Sequence, residues 1–181
     1  MPVRAFIALD LPKETQTYLD CITKLLKQTD YHASWTRPGN FHLTLKFLGD
    51  ILESTISKIA KRLEAIQLEL PISYRFAKLG GFPNLKKPKI LWFGLDSELS
   101  IKLAKEVDNV FHELGFSLED KAFMPHVTLG RIKELGAVDL EKLSTEFPKP
   151  PQSGAFERLV LFKSELLPSG PIYSALWEKK G

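Results

Sequence analysis

Two short strings in this chain share one pattern. "FHLTLKFLGD" (41–50) and "MPHVTLGRIK" (124–133) each place a histidine and a threonine two positions apart in an otherwise apolar run. Both sit inside a longer repeat. "VRAFIALD" ends at Asp10 and "KILWFGLD" at Asp96, each just before a helical pattern; His42 follows Asp10 by 32 positions and His126 follows Asp96 by 30. A further strand-like run opens near Tyr74, 32 positions beyond His42, and its counterpart near Phe156 lies 30 beyond His126. Four landmarks in register imply an internal duplication with a strand, helix, motif strand, helix, strand plan in each half. The halves, roughly 1–83 and 88–181, meet at the turn-rich "FPNLKKP" between Pro83 and Pro88. The expectation is one two-lobed domain spanning 1–181, its lobes related by a pseudo-twofold that brings equivalent strands together.

Apolar spacing assigns the elements. "PKETQTYLDCITKLLKQT" aligns Tyr18, Ile22, Leu25 and Leu26 on one helix face. "ESTISKIAKRLEAIQ" aligns Ile56, Ile59, Ala60, Leu63 and Ile66, and "ELSIKLAKEVDNVFHELG" aligns Ile101, Ala104, Phe111 and Leu114 before Gly115. A shorter helix fits "VDLEKLSTEF". Strand-like runs lie between: "VRAFIALD", "FHLTLKFLG", "ISYRFAKLGGF", "KILWFGLD", "MPHVTLGRI", "AFERLVLFKSEL" and "IYSALWEK". The fold class is therefore α+β.

Side chains alternate between the faces of a strand, so Phe41, Leu43, Leu45 and Phe47 are expected to pack inward while His42, Thr44 and Lys46 face water or a cleft. Val127 and Leu129 likewise oppose His126 and Thr128. Were the two motif strands to meet at the pseudo-twofold, two imidazoles and two hydroxyls would converge. One neutral imidazole takes a proton and one imidazolium gives one, which covers both ends of an in-line phosphoryl displacement. The hydroxyls donate to non-bridging phosphate oxygens.

Other readings of these residues are weaker. A single histidine in an apolar strand is usually a packing or surface residue, and threonine is a good strand former; the matched pair argues otherwise. A catalytic zinc needs further histidine or acidic ligands that the sequence does not place nearby, so neither a metal nor a cofactor is expected. Cys21 lies in a helix beside Ile22 and reads as a small buried apolar residue rather than a nucleophile. His32 falls in a polar connection, and His112 on the solvent face of a helix. Lys46 has the parity to approach an RNA phosphate. Phe82 and Tyr173 are aromatic candidates for packing or nucleotide binding.

The two motifs, with "RAFIALDLP", "PKILWFGL" and "GPIYSAL", resemble the two-histidine phosphoesterase superfamily, and within it the LigT-like RNA 2′,3′-cyclic phosphodiesterases once called 2′-5′ RNA ligases. The resemblance covers nearly the whole chain. It implies two antiparallel sheets facing a central groove, with helices outside. It also implies metal-free hydrolysis of an RNA terminal 2′,3′-cyclic phosphate to a 2′-phosphate, and a reversible 2′-5′ joining of RNA in vitro. His42 would be the proton donor and His126 the acceptor, with Thr44 and Thr128 holding the phosphate. Arg131 matches an arginine of close relatives, yet strict alternation puts it on the face opposite His126; it reaches the phosphate only if the strand bulges near Gly130. Tyr173 lies in the closing segment and counts among the substrate contacts. The partner is then an RNA end or small cyclic nucleotide, which a net charge of +3 permits without demanding. One cysteine suits a reducing compartment, and "AFIAL" is too short for a signal or membrane segment, so a cytoplasmic monomer is expected.

Overall fold

The computed structural model describes residues 2–168 and 170–181. Its nine strands and four α-helices among these residues run β1 (Pro2–Asp10), α1 (Lys13–Lys27), β2 (His32–Trp35), β3 (His42–Leu52), α2 (Ile56–Glu64, entered through a 3-10 turn at Glu53–Thr55), β4 (Ile72–Phe82), β5 (Ile90–Asp96), α3 (Glu98–His112), β6 (His126–Glu134), α4 (Leu140–Ser144), β7 (Gly154–Phe156), β8 (Arg158–Leu167) and β9 (Gly170–Lys180). The strands form two antiparallel sheets, ordered β3-β1-β8-β9 and β2-β6-β5-β4-β7. The α+β expectation holds.

The lobes are not the sequence halves. β3 sits beside β1 as β6 sits beside β5, which matches the repeated spacing, but the strand after each motif crosses to the other sheet. β4 pairs with β5, and β8 pairs with β1. The run expected as one strand from Ala155 onward divides at Glu157: β7 pairs with β4 in one sheet and β8 with β1 in the other. The Pro83–Pro88 junction therefore turns a hairpin within the second sheet.

This exchange joins the lobes into one core. Leu9, Leu19, Ile22, Leu43, Phe93, Val107, Phe111 and Val127, drawn from both sheets and two helices, belong to a single buried cluster. α1 packs toward the second sheet, where Tyr18 meets Phe76 and Phe93 and the Thr15 hydroxyl hydrogen-bonds that of Tyr74 at 2.6 Å. On the other side, α3 meets β3 through an Asp108–Lys46 pair. α3 begins at Ser97, whose hydroxyl accepts from the Ser100 N–H.

Three expectations need correction here. Ile101 is exposed, because α3 buries the stripe through Ser100, Leu103, Ala104, Val107 and Phe111 instead. Cys21 is exposed, since the buried face of α1 runs through Thr15, Tyr18, Leu19, Ile22 and Leu26. His32 lies in the short edge strand β2, paired with β6, rather than in a connection.

Candidate active site

Both motif strands carry the same defect at the same place. In the β1–β3 ladder Ala8 faces Thr44 but Ile7 faces Lys46, so Leu45 is an extra residue. In the β5–β6 ladder Trp92 faces Thr128 but Leu91 faces Gly130, so Leu129 is extra. Each bulge falls three positions after its histidine, and each reverses the inward and outward alternation of the residues next in line, until a second irregularity at Leu48 in β3 and at Lys133 in β6.

The reversal decides three side chains. Lys46 turns inward and is 2% exposed, so it does not face the cleft as strict alternation requires. Its ammonium donates to Asp108 Oδ1 at 2.5 Å and to the Ser117 carbonyl at 2.8 Å. Burial works to raise the Asp108 carboxyl, but Lys46 and the Glu119 N–H outweigh it and hold it below the ordinary carboxylate range. Phe47, expected inside, turns outward and is 64% exposed on the face that carries His42 and Thr44. Arg131, at the equivalent place in β6, likewise joins the face of His126 and Thr128. Gly130 occupies the position equivalent to Lys46, where a Cβ would meet the Trp35 ring at 2.7 Å.

The two faces look into one groove, and Cα atoms of β3 and β6 approach within 8 Å. On the first sheet, Phe6 stands beneath His42 at 4.8 Å between ring centroids, and Phe162 and Tyr173 complete an aromatic bed. Tyr173 meets His42 edge-on at 5.3 Å. On the second sheet, Phe82 meets His126 edge-on at 5.1 Å and Trp92 lies 5.6 Å from it. Phe6 and Ala8 are buried yet absent from the main core cluster, as befits a groove wall.

The imidazoles are held alike. His42 Nδ1 is 2.7 Å from the Asn40 carbonyl, and His126 Nδ1 is 2.7 Å from that of Met124. A carbonyl only accepts, so Nδ1 carries the proton in both rings and Nε2 is left for chemistry. Gln16 of α1 steadies the approach to His42 by donating to the Phe41 carbonyl at 2.7 Å and accepting from the Gly39 N–H. Burial lowers the pKa of both histidines, against the opposing pull of those carbonyls. At His42 the Asp10 carboxylate also favours the charged form, while His126 across the groove disfavours it. The Thr44 and Thr128 hydroxyls make no side-chain hydrogen bond among the described residues.

Tyr173 sits where both lobes act on it. Burial raises its phenol, and the guanidinium charges of Arg131 and Arg4 oppose that rise. The structure thus gathers His42, His126, Thr44, Thr128, Arg131 and Tyr173 around one groove and leaves Lys46 out. Sequence reasoning missed Phe6 and Phe47. Phe6 has the parity to be found; Phe47 required knowledge of the bulge. Among the described residues no group of three or more His, Cys, Asp or Glu side chains is placed to hold a metal ion.

A two-lobed fold that brings one His-x-Thr strand from each lobe to a shared groove defines a phosphoesterase of the paired-histidine class. The chain belongs to the LigT-like phosphoesterase family, whose model matches residues 9–92 and 96–173. It is 35% identical over 178 residues to the RNA 2′,3′-cyclic phosphodiesterase of Thermotoga maritima, covering 97% of this chain and 94% of that one. Its identity to the Aquifex aeolicus protein of the same name is 32%, with 97% and 96% covered. A crystal structure from Thermus thermophilus superimposes with a TM-score of 0.79 at 28% identity, covering 98% of this chain and 97% of its own.

Proposed function

We propose that this protein hydrolyses the 2′,3′-cyclic phosphate at an RNA end to a 2′-phosphomonoester without a metal ion. The observation that carries the reading is the matched pair of imidazoles, each with Nδ1 committed to a backbone carbonyl and Nε2 left without a hydrogen-bond partner among the described residues. His126 Nε2 takes a proton from water as it attacks phosphorus. The P–O3′ bond breaks, and His42 gives its Nε2 proton to the departing O3′. Thr44, Thr128 and Arg131 donate to the non-bridging oxygens as charge gathers there. The assignment of donor to His42 is supported by Asp10, the carboxylate that favours the imidazolium at that ring.

With an RNA 5′-hydroxyl in place of water, the same displacement breaks P–O3′ and joins two RNAs through a 2′-5′ bond, and its reverse, attack by O3′, cleaves that bond again. Phe47, exposed beside the motif, stacks on the terminal base. The repeat halves contribute one acid or base each, so a duplicated domain spanning 1–181 is the functional unit. Among the described residues no helix is long and apolar enough to cross a membrane, and the exposed, unpaired Cys21 fits a reducing compartment. We assign a cytoplasmic location on the strength of that thiol.

The test is incubation with an RNA oligonucleotide ending in a 2′,3′-cyclic phosphate, with excess EDTA, followed by separation of the product isomers. The reading expects turnover to a 2′-phosphate that EDTA leaves intact. Loss of turnover in EDTA would overturn the metal-free mechanism, and a 3′-phosphate would reverse which P–O bond breaks.

A further inference from the structure

β1 lines the groove with alternate residues. Val3, Ala5, Ile7 and Leu9 enter the core cluster, whereas Phe6 meets His42, Phe162 and Tyr173. Arg4, Phe6 and Ala8 therefore share the groove face, with Ala8 opposite Thr44 at the reacting end and Arg4 toward the far end. The extra residues that distort the β1–β3 ladder lie in β3, and the β1–β8 register runs unbroken from Ala5 to Asp10, so this parity is secure.

Arg4 is exposed and makes no ion pair among the described residues. That is notable because Asp50 faces it directly across the β1–β3 ladder. A cross-strand carboxylate is the natural partner for an arginine, yet the charge of Arg4 is felt instead at Tyr173, together with that of Arg131 from the other sheet. Two guanidiniums without an ion-pair partner among the described residues, one from each sheet and both felt at one phenol, make a place for an anion.

We propose that Arg4 binds a second phosphate of the substrate, the phosphodiester on the 5′ side of the terminal nucleotide, and so selects RNA chain ends over free cyclic mononucleotides. Arg4 and Ala8 are four residues apart, roughly 13 Å at about 3.3 Å per strand residue. The length of the arginine side chain takes up part of that interval, and what remains accommodates one nucleotide between the reacting phosphate and the guanidinium. Phe47, exposed above the buried Phe6 on the same face, lies along that stretch, where the nucleotide's base would rest. Arg131 serves the reacting phosphate from the second sheet; Arg4, farther out on the first, serves the next one.

The inference rests on the cyclic-phosphate reading above, and the experiment separates the two. Adenosine 2′,3′-cyclic phosphate and the dinucleotide ApA bearing a 2′,3′-cyclic phosphate are compared as substrates for the wild type, Arg4→Gln and Arg4→Lys. A charge-assisted phosphate contact corresponds to about tenfold or more in kcat/KM. The preference of the wild type for the dinucleotide should fall by about tenfold in Arg4→Gln and be largely kept in Arg4→Lys. A dinucleotide with a neutral methylphosphonate linkage should lose the same preference with the wild type, and Arg4→Gln should then have no further effect on it. The slope of log kcat/KM against log salt for the charged dinucleotide should fall by about 0.7 in Arg4→Gln, as one single-strand phosphate contact is lost. Turnover of neither substrate by the wild type would overturn the cyclic-phosphate reading. Turnover of both, with a preference that Arg4→Gln or the methylphosphonate leaves unchanged, would overturn the role of Arg4 alone.

Discussion

Replacing Lys46 separates the structural account from what strand alternation implies. Alternation makes Lys46 a groove residue whose loss would weaken phosphate binding. The structure buries its ammonium between Asp108 and the Ser117 carbonyl, behind the motif strand. Removing one partner of a buried ion pair costs about 3–5 kcal/mol. Asp108 is 17% exposed and keeps the Glu119 N–H, so water and that donor relieve part of the orphaned charge. Methionine also retains most of the aliphatic stem. Lys46→Met should therefore cost about 2–3 kcal/mol. In urea this moves the midpoint down by about 1 M, taking a slope near 2 kcal/mol/M. Adding Asp108→Asn to Lys46→Met should restore part of the loss, because the unpaired charge goes with it. At a temperature where the variant is folded, kcat/KM on a cyclic-phosphate RNA should stay within about fivefold of the wild type with the same salt slope. A variant of unchanged stability with a hundredfold loss of kcat/KM and a flatter salt slope would refute the burial of Lys46.

Two further outcomes follow from the same geometry. The proposed mechanism needs His42 protonated and His126 neutral, and burial lowers the pKa of both. The kcat/KM profile should be a bell with its alkaline limb, set by loss of the His42 proton, and its acid limb, set by protonation of His126, both below the ordinary histidine value of about 6.5. Bound substrate adds negative charge and favours imidazolium, so both limbs of the kcat profile should lie higher than those of kcat/KM; a profile with both kcat/KM limbs above 7 would contradict the burial argument. Phe47→Ala should raise KM for a cyclic-phosphate RNA by about tenfold or more through lost base stacking. Because Phe47 is 64% exposed, the substitution should move stability by no more than about 0.5 kcal/mol.

Period-two alternation was enough to set His42 and Thr44 apart from Leu43, and His126 and Thr128 apart from Val127 and Leu129. It stopped being reliable one residue later in each strand. A bulge belongs to a ladder of two strands, and nothing in "HLTLKFLG" alone says that Ile7 will face Lys46 rather than Leu45. Strict alternation therefore puts Lys46 outward and Phe47 inward, each on the wrong face, and Arg131 joins the groove only through the bulge beside Gly130 on which its placement depends. Spacing between landmarks survived in the pairs β1–β3 and β5–β6, each of which lies within one half. It could not show that β4 and β8 exchange sheets, because pairing partners leave no mark on periodicity. The split at Glu157 followed from the same blindness, since β7 and β8 look like one apolar run until each finds a different neighbour. "HASW" was too short and too polar to read as a strand, yet β6 offers it an edge.

The central claim, that two like-held imidazoles have opposite roles, is tested most directly by a substrate whose leaving group needs no proton. In an RNA end bearing a 2′-O,3′-S-cyclic phosphorothiolate, the departing 3′ sulfur leaves as a thiolate. On the oxygen substrate His42→Ala and His126→Ala should each lose about 100-fold to 10,000-fold in rate. On the sulfur substrate His42→Ala should recover most of that loss, while His126→Ala, still lacking the base that activates water, should not. Recovery by His126→Ala instead would exchange the two roles, and recovery by neither would remove His42 as the proton donor.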